Sequence, residues 1–158
     1  MDFLFSRTYK YTLSRPIDKV LQDFSEVENK KWIDFSENIT GSLNNDNSFK
    51  FTHKWTLGYI RGVFGSDFAI LKGKITENGQ STIIETSLRP NFGLVFFIYF
   101  MGGLFVCELF GIKTMLNGPK TYILLFLPFF GLVIFGIIQF MTNGLRNTFE
   151  KVFHLQAD

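Results

Sequence analysis

The sequence predicts an α+β protein with a small antiparallel sheet of about five strands, one N-terminal helix, a transmembrane helical hairpin and a short C-terminal amphipathic helix. Residues 1–90 alternate in polarity like strands, with one stretch of helical periodicity. The apolar run at residues 92–112 contains one charged residue, and the apolar run at residues 121–141 contains none. We therefore divide the chain into a domain of residues 1–90, a hairpin of residues 91–142 and a tail of residues 143–158.

The N-terminal domain is expected to begin with a strand and a helix. Tyr9, Tyr11 and Leu13 alternate with polar residues, which is typical of a half-buried strand. A helix is then predicted from about Pro16 to Glu28, because its apolar residues recur at helical spacing. These apolar residues are Ile17, Val20, Leu21, Phe24 and Val27. We expect this stripe to pack on the sheet.

Four further strands are predicted, mostly antiparallel. The first is expected around Ile39 to Leu43, and the turn-forming sequence NNDN separates it from the alternating stretch SFKFTHKWT. One face of that second strand carries Phe49, Phe51, His53 and Trp55. The last two strands, about Phe68–Glu77 and Ser81–Leu88, flank Asn78-Gly79, a dipeptide that favours a tight hairpin turn.

The two apolar runs are predicted to cross a membrane as a hairpin. Twenty-one helical residues span about 30 Å, the thickness of the hydrocarbon core of a bilayer. Two buried helices of a soluble protein are the alternative, but a domain of 90 residues could hardly cover both. The sequence KTMLNGPK between the runs supplies a short turn. The tail apolar residues Leu145, Phe149, Val152 and Phe153 belong either to a continuation of the second helix or to a short helix after Gly144.

Flanking cations predict the orientation of the hairpin. Five cations lie outside the hairpin and two lie in its turn, so both termini are expected in the cytoplasm. The five are Lys72, Lys74, Arg89, Arg146 and Lys151, and the two are Lys113 and Lys120. The first residues, MDFLFSR, lack the basic region of a secretory signal, so the first apolar run is expected to direct targeting.

Several classes of function are not expected from composition and motifs. The first 91 residues contain twelve basic and eleven acidic residues, which gives bulk charge no basis for nucleic-acid binding. The single cysteine, Cys107, can form no intrachain disulfide. Neither His53 nor His154 has metal-ligand spacing around it, and no catalytic motif is present. We therefore expect no cofactor, no metal and no enzymatic activity, and the sequence leaves any small-molecule ligand unidentified.

Seven residues are candidates for interactions. They are Glu108 in the first apolar run, Tyr59, Arg61 and Phe64 in a glycine-rich loop, and Phe49, Phe51 and Trp55 on the aromatic strand face. The loop could lie in the membrane interface or bind a partner, or it could fold over the core. Both readings stay open.

Glu108 is expected about one turn inside the far membrane interface, where Lys113, Lys120 and Tyr122 are the nearest possible partners. A structural carboxylate at the helix end is favoured. The alternative is a proton or cation site, or a contact with another membrane subunit. The helix glycines are expected to pack the hairpin together, with self-association as the alternative. They are Gly102, Gly103, Gly131 and Gly136.

Residues 70–91, ILKGKITENGQSTIIETSLRPN, are followed directly by the apolar runs and the amphipathic tail. In this layout the chain resembles a set of small uncharacterised bacterial membrane proteins with a strand-rich N-terminal domain and two membrane helices. The resemblance implies a two-pass protein of the bacterial inner membrane. It implies no activity.

Two functional hypotheses follow. The first is a non-enzymatic accessory or scaffold protein that docks onto a larger inner-membrane assembly, with the lipid bilayer and other membrane subunits as partners. The second is a membrane-anchored ligand- or lipid-sensing module, a stress, immunity or defence factor, that uses the aromatic sheet face. An open apolar pocket on that face would favour the second hypothesis, since a scaffold should bury the face completely.

Overall fold

Five antiparallel strands and three helices make up the part of the chain that the structure describes, residues 5–29, 38–53, 68–112 and 120–155 of a computed structural model. The elements in chain order are β1 (Arg7–Leu13), α1 (Ile17–Asn29), β2 (Thr40–Leu43), β3 (Ser48–Thr52), β4 (Ala69–Asn78), β5 (Ser81–Pro90), α2 (Phe92–Leu109) and α3 (Lys120–Val152). The strands form one sheet in the order β1-β5-β4-β3-β2. The predicted five-stranded antiparallel sheet and the two long apolar helices are therefore confirmed.

The chain forms two compact units. The sheet unit consists of Met1–Asn91 together with Met141–Asp158, and the helical unit consists of Phe92–Phe140. The predicted tail, residues 143–158, thus belongs to the sheet unit. It begins within α3 rather than in a separate short helix, because α3 runs to Val152.

Two tight turns set the register of the sheet. At the β4–β5 turn, Asn78 pairs with Ser81, and Gly79 has a φ of 64°, a value that glycine adopts at little cost. At the β2–β3 turn, Asn47 has a φ of 60° and its amide donates to the Asn44 carbonyl over 3.1 Å. Both turns lie where the Asn-Gly and Asn-rich sequences predicted them.

The core of the sheet unit lies on one face of the sheet, beneath α1 and the end of α3. Phe24 of α1 stacks on Phe153, the residue directly after α3, with ring centroids 4.1 Å apart, and its edge meets Phe49 of β3 at 4.9 Å. Phe149 of α3 is fully buried and contacts rings of both helices and of β1 and β3. Segments from both ends of the chain therefore share one core.

The helical unit has the opposite distribution of apolar surface. All eighteen large apolar side chains that are exposed in the described residues lie between Phe92 and Phe140. Both α2 and α3 are long and apolar enough to cross a membrane, and only 22% and 17% of their most apolar windows are buried. A helix in the core of a soluble protein would be mostly buried, so this pattern favours a lipid environment.

Candidate functional site

Phe49 and Phe51, two of the predicted interaction residues, belong to the core. Only 2% and 1% of their surfaces are exposed, because the ring of Phe24 and the ring of Phe149 cover them. They therefore offer no open apolar surface to a ligand. Trp55, Tyr59, Arg61 and Phe64 lie outside the described residues, and their roles stay predictions.

Each of these two phenylalanines lies over a glycine on the neighbouring strand. Phe49 pairs with Gly73 of β4, and Phe51 pairs with Gly41 of β2. A Cβ atom at Gly73 would collide with the Phe49 ring and with the Glu85 carbonyl oxygen. Glycine is required at Gly73 because the Phe49 ring occupies the space that a side chain would need. The aromatic strand face therefore belongs to the core.

A line of polar contacts joins β1 to the last turns of α3. The Arg7 guanidinium donates to the Asn143 side-chain oxygen over 3.1 Å, and the Arg146 guanidinium lies 4.2 Å from the centroid of the Tyr9 ring. The Tyr11 hydroxyl donates to Glu150 over 2.9 Å, and Arg146 donates to the same carboxylate oxygen over 2.8 Å. Burial of Tyr11 and its hydrogen bond to Glu150 raise the pKa of this phenol above its usual range. These contacts hold the end of α3 on the edge strand.

His53 makes a structural contact with α3. Its Nε2 atom donates to the Met141 carbonyl oxygen over 2.8 Å, and its Nδ1 atom accepts from the Asn38 side-chain amide over 3.4 Å. The neutral tautomer with the proton on Nε2 satisfies both contacts. Among the described residues no group of three His, Cys, Asp or Glu side chains could hold a metal ion.

Glu108 is buried, with 8% of its surface exposed. It shares the buried face of α2 with Leu94 and Met101, from which it is separated by steps of seven residues. In α3, Leu127 and Ile134 are also buried and seven residues apart. A repeat of seven is typical of two helices that pack along their length. Glu108 therefore lies at the end of the buried face of α2.

A groove lies between α2 and α3 in the helical unit. This helix groove has a volume of about 400 Å³ and is lined by Ile98, Met101, Gly102, Phe105, Leu127, Pro128, Gly131, Leu132 and Phe135. Its lining is wholly apolar. Beside it, Phe97 of α2 meets Phe130 of α3 edge to face, with ring centroids 6.4 Å apart. The groove thus lies between two helices that touch.

The glycines of the helical unit do not pack α2 against α3, and the prediction that they do is wrong. A Cβ atom at each of the four would meet no atom of the described residues within 4 Å. Contacts such as Phe97 with Phe130 hold the helices together through large side chains instead. Gly102 and Gly131 line the helix groove, whereas Gly103 and Gly136 do not. The space next to Gly102 and Gly131 is therefore open to another molecule.

These features define a class of protein: a small α+β domain joined to two apolar helices that are long enough to cross a membrane. Comparison of the chain with protein families, with curated proteins and with solved structures finds no match.

Proposed function

We propose that the protein is a non-enzymatic accessory protein of a membrane, and that the helix groove binds a transmembrane helix of a larger assembly. The observation that carries the proposal is the open space at Gly102 and Gly131 in a wholly apolar groove. In lipid, helices associate mainly through close packing, and glycine lets another backbone come near. Open glycines in a lined groove support a helix as the occupant.

The distribution of exposed apolar surface supports the membrane location. Exposed phenylalanines such as Phe110, Phe129 and Phe140, which are 79%, 66% and 71% exposed, would be costly in water. Lipid tails remove that cost. A soluble unit that exposed so much apolar surface would aggregate.

The shared core of the sheet unit supports a two-pass topology. Residues before α2 and residues after Phe140 pack in one core, so the chain has to return to the side from which it left. This requires an even number of crossings and keeps both ends of the chain on one side. The excess of flanking cations favours the cytoplasmic side, and the resemblance to small bacterial membrane proteins favours the inner membrane.

Filling the groove tests the proposed docking. Leucine at both groove glycines, Gly102→Leu with Gly131→Leu, should exclude a partner helix, because each added side chain occupies the open space. The matched control is Gly103→Leu with Gly136→Leu, which places the same side chains outside the groove. Each tagged full-length protein is extracted in mild detergent and sized on a native gel. We expect the wild type and the control to migrate in a large complex and the groove variant to lose it at least tenfold.

Three results would contradict the proposal, two from the native gel and one from co-expression. One is migration of the wild type only as a free monomer in several mild detergents. The other is an equal loss of the complex in both double variants. Co-expression of two differently tagged copies identifies the occupant: co-purification with the groove intact and not with it filled would make the occupant a second copy of this chain and would overturn the larger assembly.

A further inference from the structure

The outer face of the sheet, which points away from α1 and α3, carries a concentration of cations. Side chains alternate along a strand, so the register places these cations on one face. Lys72 pairs with Lys50 and with Ser87, and Lys10 and Lys74 flank Glu85. We call this surface the basic face, formed by Lys10, Lys50, Lys72, Lys74 and Arg89. Its single carboxylate among the described residues is Glu85, and all six side chains are exposed.

The basic face accounts for the charge excess of the sheet unit. The side of the sheet that faces α1 and α3 has no such excess, since its described residues include five cations and six carboxylates. The cations are Arg7, Arg15, Lys19, Arg146 and Lys151, and the carboxylates are Asp18, Asp23, Glu26, Glu28, Glu77 and Glu150. A nearly neutral total therefore conceals a face with four more cations than carboxylates. Fields of this kind attract anionic surfaces.

Charge also varies along the strands. Arg89 is three residues before Phe92, the first residue of α2, and only Asn91 lies between β5 and α2. At the opposite end of the strands lie Asp46, in the β2–β3 turn, and Glu77, next to the β4–β5 turn. Arg89, Lys72 and Lys50 thus lie in the half of the sheet nearer α2, and Lys10 and Lys74 lie close to its middle. The carboxylates Asp46 and Glu77 lie at the end that is farther from α2.

The basic face has room for anionic groups. A shallow depression of about 620 Å³ lies among Thr8, Lys10, Lys72, Lys74, Glu85 and Ser87. Lys10 and Glu85 are 3.6 Å apart, but their side chains are 57% and 65% exposed, so this ion pair is weak and can exchange for another anion. The hydroxyls of Thr8 and Ser87 can donate to phosphate oxygens. Lysines and hydroxyls together suit phosphate headgroups.

We propose that the basic face docks on the anionic headgroups of the membrane that anchors the chain. The proposal rests on the membrane location argued above and not on the helix groove. Charge complementarity and the direct link from β5 to α2 favour lipid as the occupant. Single-stranded nucleic acid is less suited, because the side chains of the basic face in the described strands include no aromatic ring on which a base could stack.

Lysine acetylation of the full-length protein in nanodiscs tests the docking. One set of discs contains phosphatidylcholine alone, and the other contains about 30% phosphatidylglycerol, an anionic lipid. A neutral acetylating reagent is applied, and modification of each lysine is followed by mass spectrometry. We expect Lys10, Lys72 and Lys74 to react at least fivefold more slowly in the anionic discs, and high salt to remove the difference. Lys19, on α1, is the internal control and should react equally in both.

Charge variants make the test specific. Lys72→Gln with Lys74→Gln should restore most of the reactivity of Lys10 in anionic discs, since each cation near such a surface changes the docked population about fivefold. The matched control, Lys19→Gln with Lys151→Gln, also removes two cations but leaves the basic face intact. It should leave Lys10 protected.

Three results would overturn the proposal. The first is equal reactivity of the basic-face lysines in the two discs. The second is equal slowing at Lys19, which would reflect the reagent rather than docking. The third is protection in neutral discs that appears only when a single-stranded oligonucleotide is added, which would make nucleic acid the occupant. Failure of the chain to insert into either disc would contradict the membrane location itself, whereas insertion without protection would contradict only this proposal.

Discussion

Phe149 joins the N-terminal and C-terminal segments in the core of the sheet unit. Its side chain is fully buried, and its ring lies 5.8 Å from Phe49 and 6.0 Å from Phe24. Replacement of a buried phenylalanine by alanine costs about 3–5 kcal/mol through lost burial and the cavity left behind. A domain has a total stability of about 5–15 kcal/mol. Phe149→Ala should therefore remove between about a fifth and all of the stability of the sheet unit.

Urea denaturation of the detergent-solubilised full-length chain measures this loss. Both tryptophans, Trp32 and Trp55, lie in the N-terminal part of the chain, so their fluorescence can follow unfolding of the sheet unit. With a urea dependence of about 2 kcal/mol per molar, a loss of about 3 kcal/mol lowers the midpoint by about 1.5 M. The control is Phe140→Ala, which removes a ring that is 71% exposed on the same helix. A shift below about 0.5 M for Phe149→Ala, or an equal shift for the control, would refute the packing argument.

Four further outcomes are expected. Gly73→Ala should lower the unfolding free energy by about 1–3 kcal/mol in the same urea titration, because the new methyl group meets the Phe49 ring, and unchanged stability would contradict the requirement for glycine. The unfolding free energy should fall as pH rises above about 10, since the unfolded chain then releases the Tyr11 proton that the folded chain keeps. The slope is at most about 1.4 kcal/mol per pH unit. Tyr11→Phe should flatten this pH dependence. Glu108→Gln should insert normally and weaken helix association by at most about 1 kcal/mol, so that loss of the native complex with normal insertion would make this carboxylate a functional centre. A reporter fused after Asp158 should be active only in the cytoplasm, and two or three lysines added between residues 114 and 118 should weaken that preference; activity outside would reverse the proposed orientation.

The sheet was readable from local patterns, because strand periodicity and turn residues act over a few positions. The alternation around Tyr9 and Tyr11 marked β1, and Asn78-Gly79 marked the β4–β5 hairpin. These patterns do not predict the pairing of β1 with β5, in which Arg7 lies opposite Leu88, a residue far away in the sequence. That pairing depends on contacts between residues far apart in the chain, and no local signal encodes them.

The surfaces were harder to predict than the elements. The sequence predicts the aromatic face containing Phe49 and Phe51 as a candidate ligand site, but burial depends on what covers a face, and α3 supplies that cover from the far end of the sequence. The reading of the helix glycines failed for a similar reason, since sequence does not say which side of a helix meets its neighbour. The basic face emerged only when the register aligned lysines of three strands with Arg89 of a fourth. The net charge of the domain does not reveal such a face, because it sums the charges of all surfaces.

The shared core of the sheet unit also constrains how the protein is made. When the ribosome has completed β5, the strands and α1 lack the cover that Leu145, Phe149 and Phe153 provide. That cover follows α2 and most of α3 in the chain, so the sheet has to wait, with its aromatic residues partly open, until both apolar helices have been synthesised. In the proposed two-pass topology, completion of the core requires that the second helix has returned the chain to its starting side. A copy that inserts incorrectly leaves apolar surface uncovered, which is the feature that chaperones and proteases recognise.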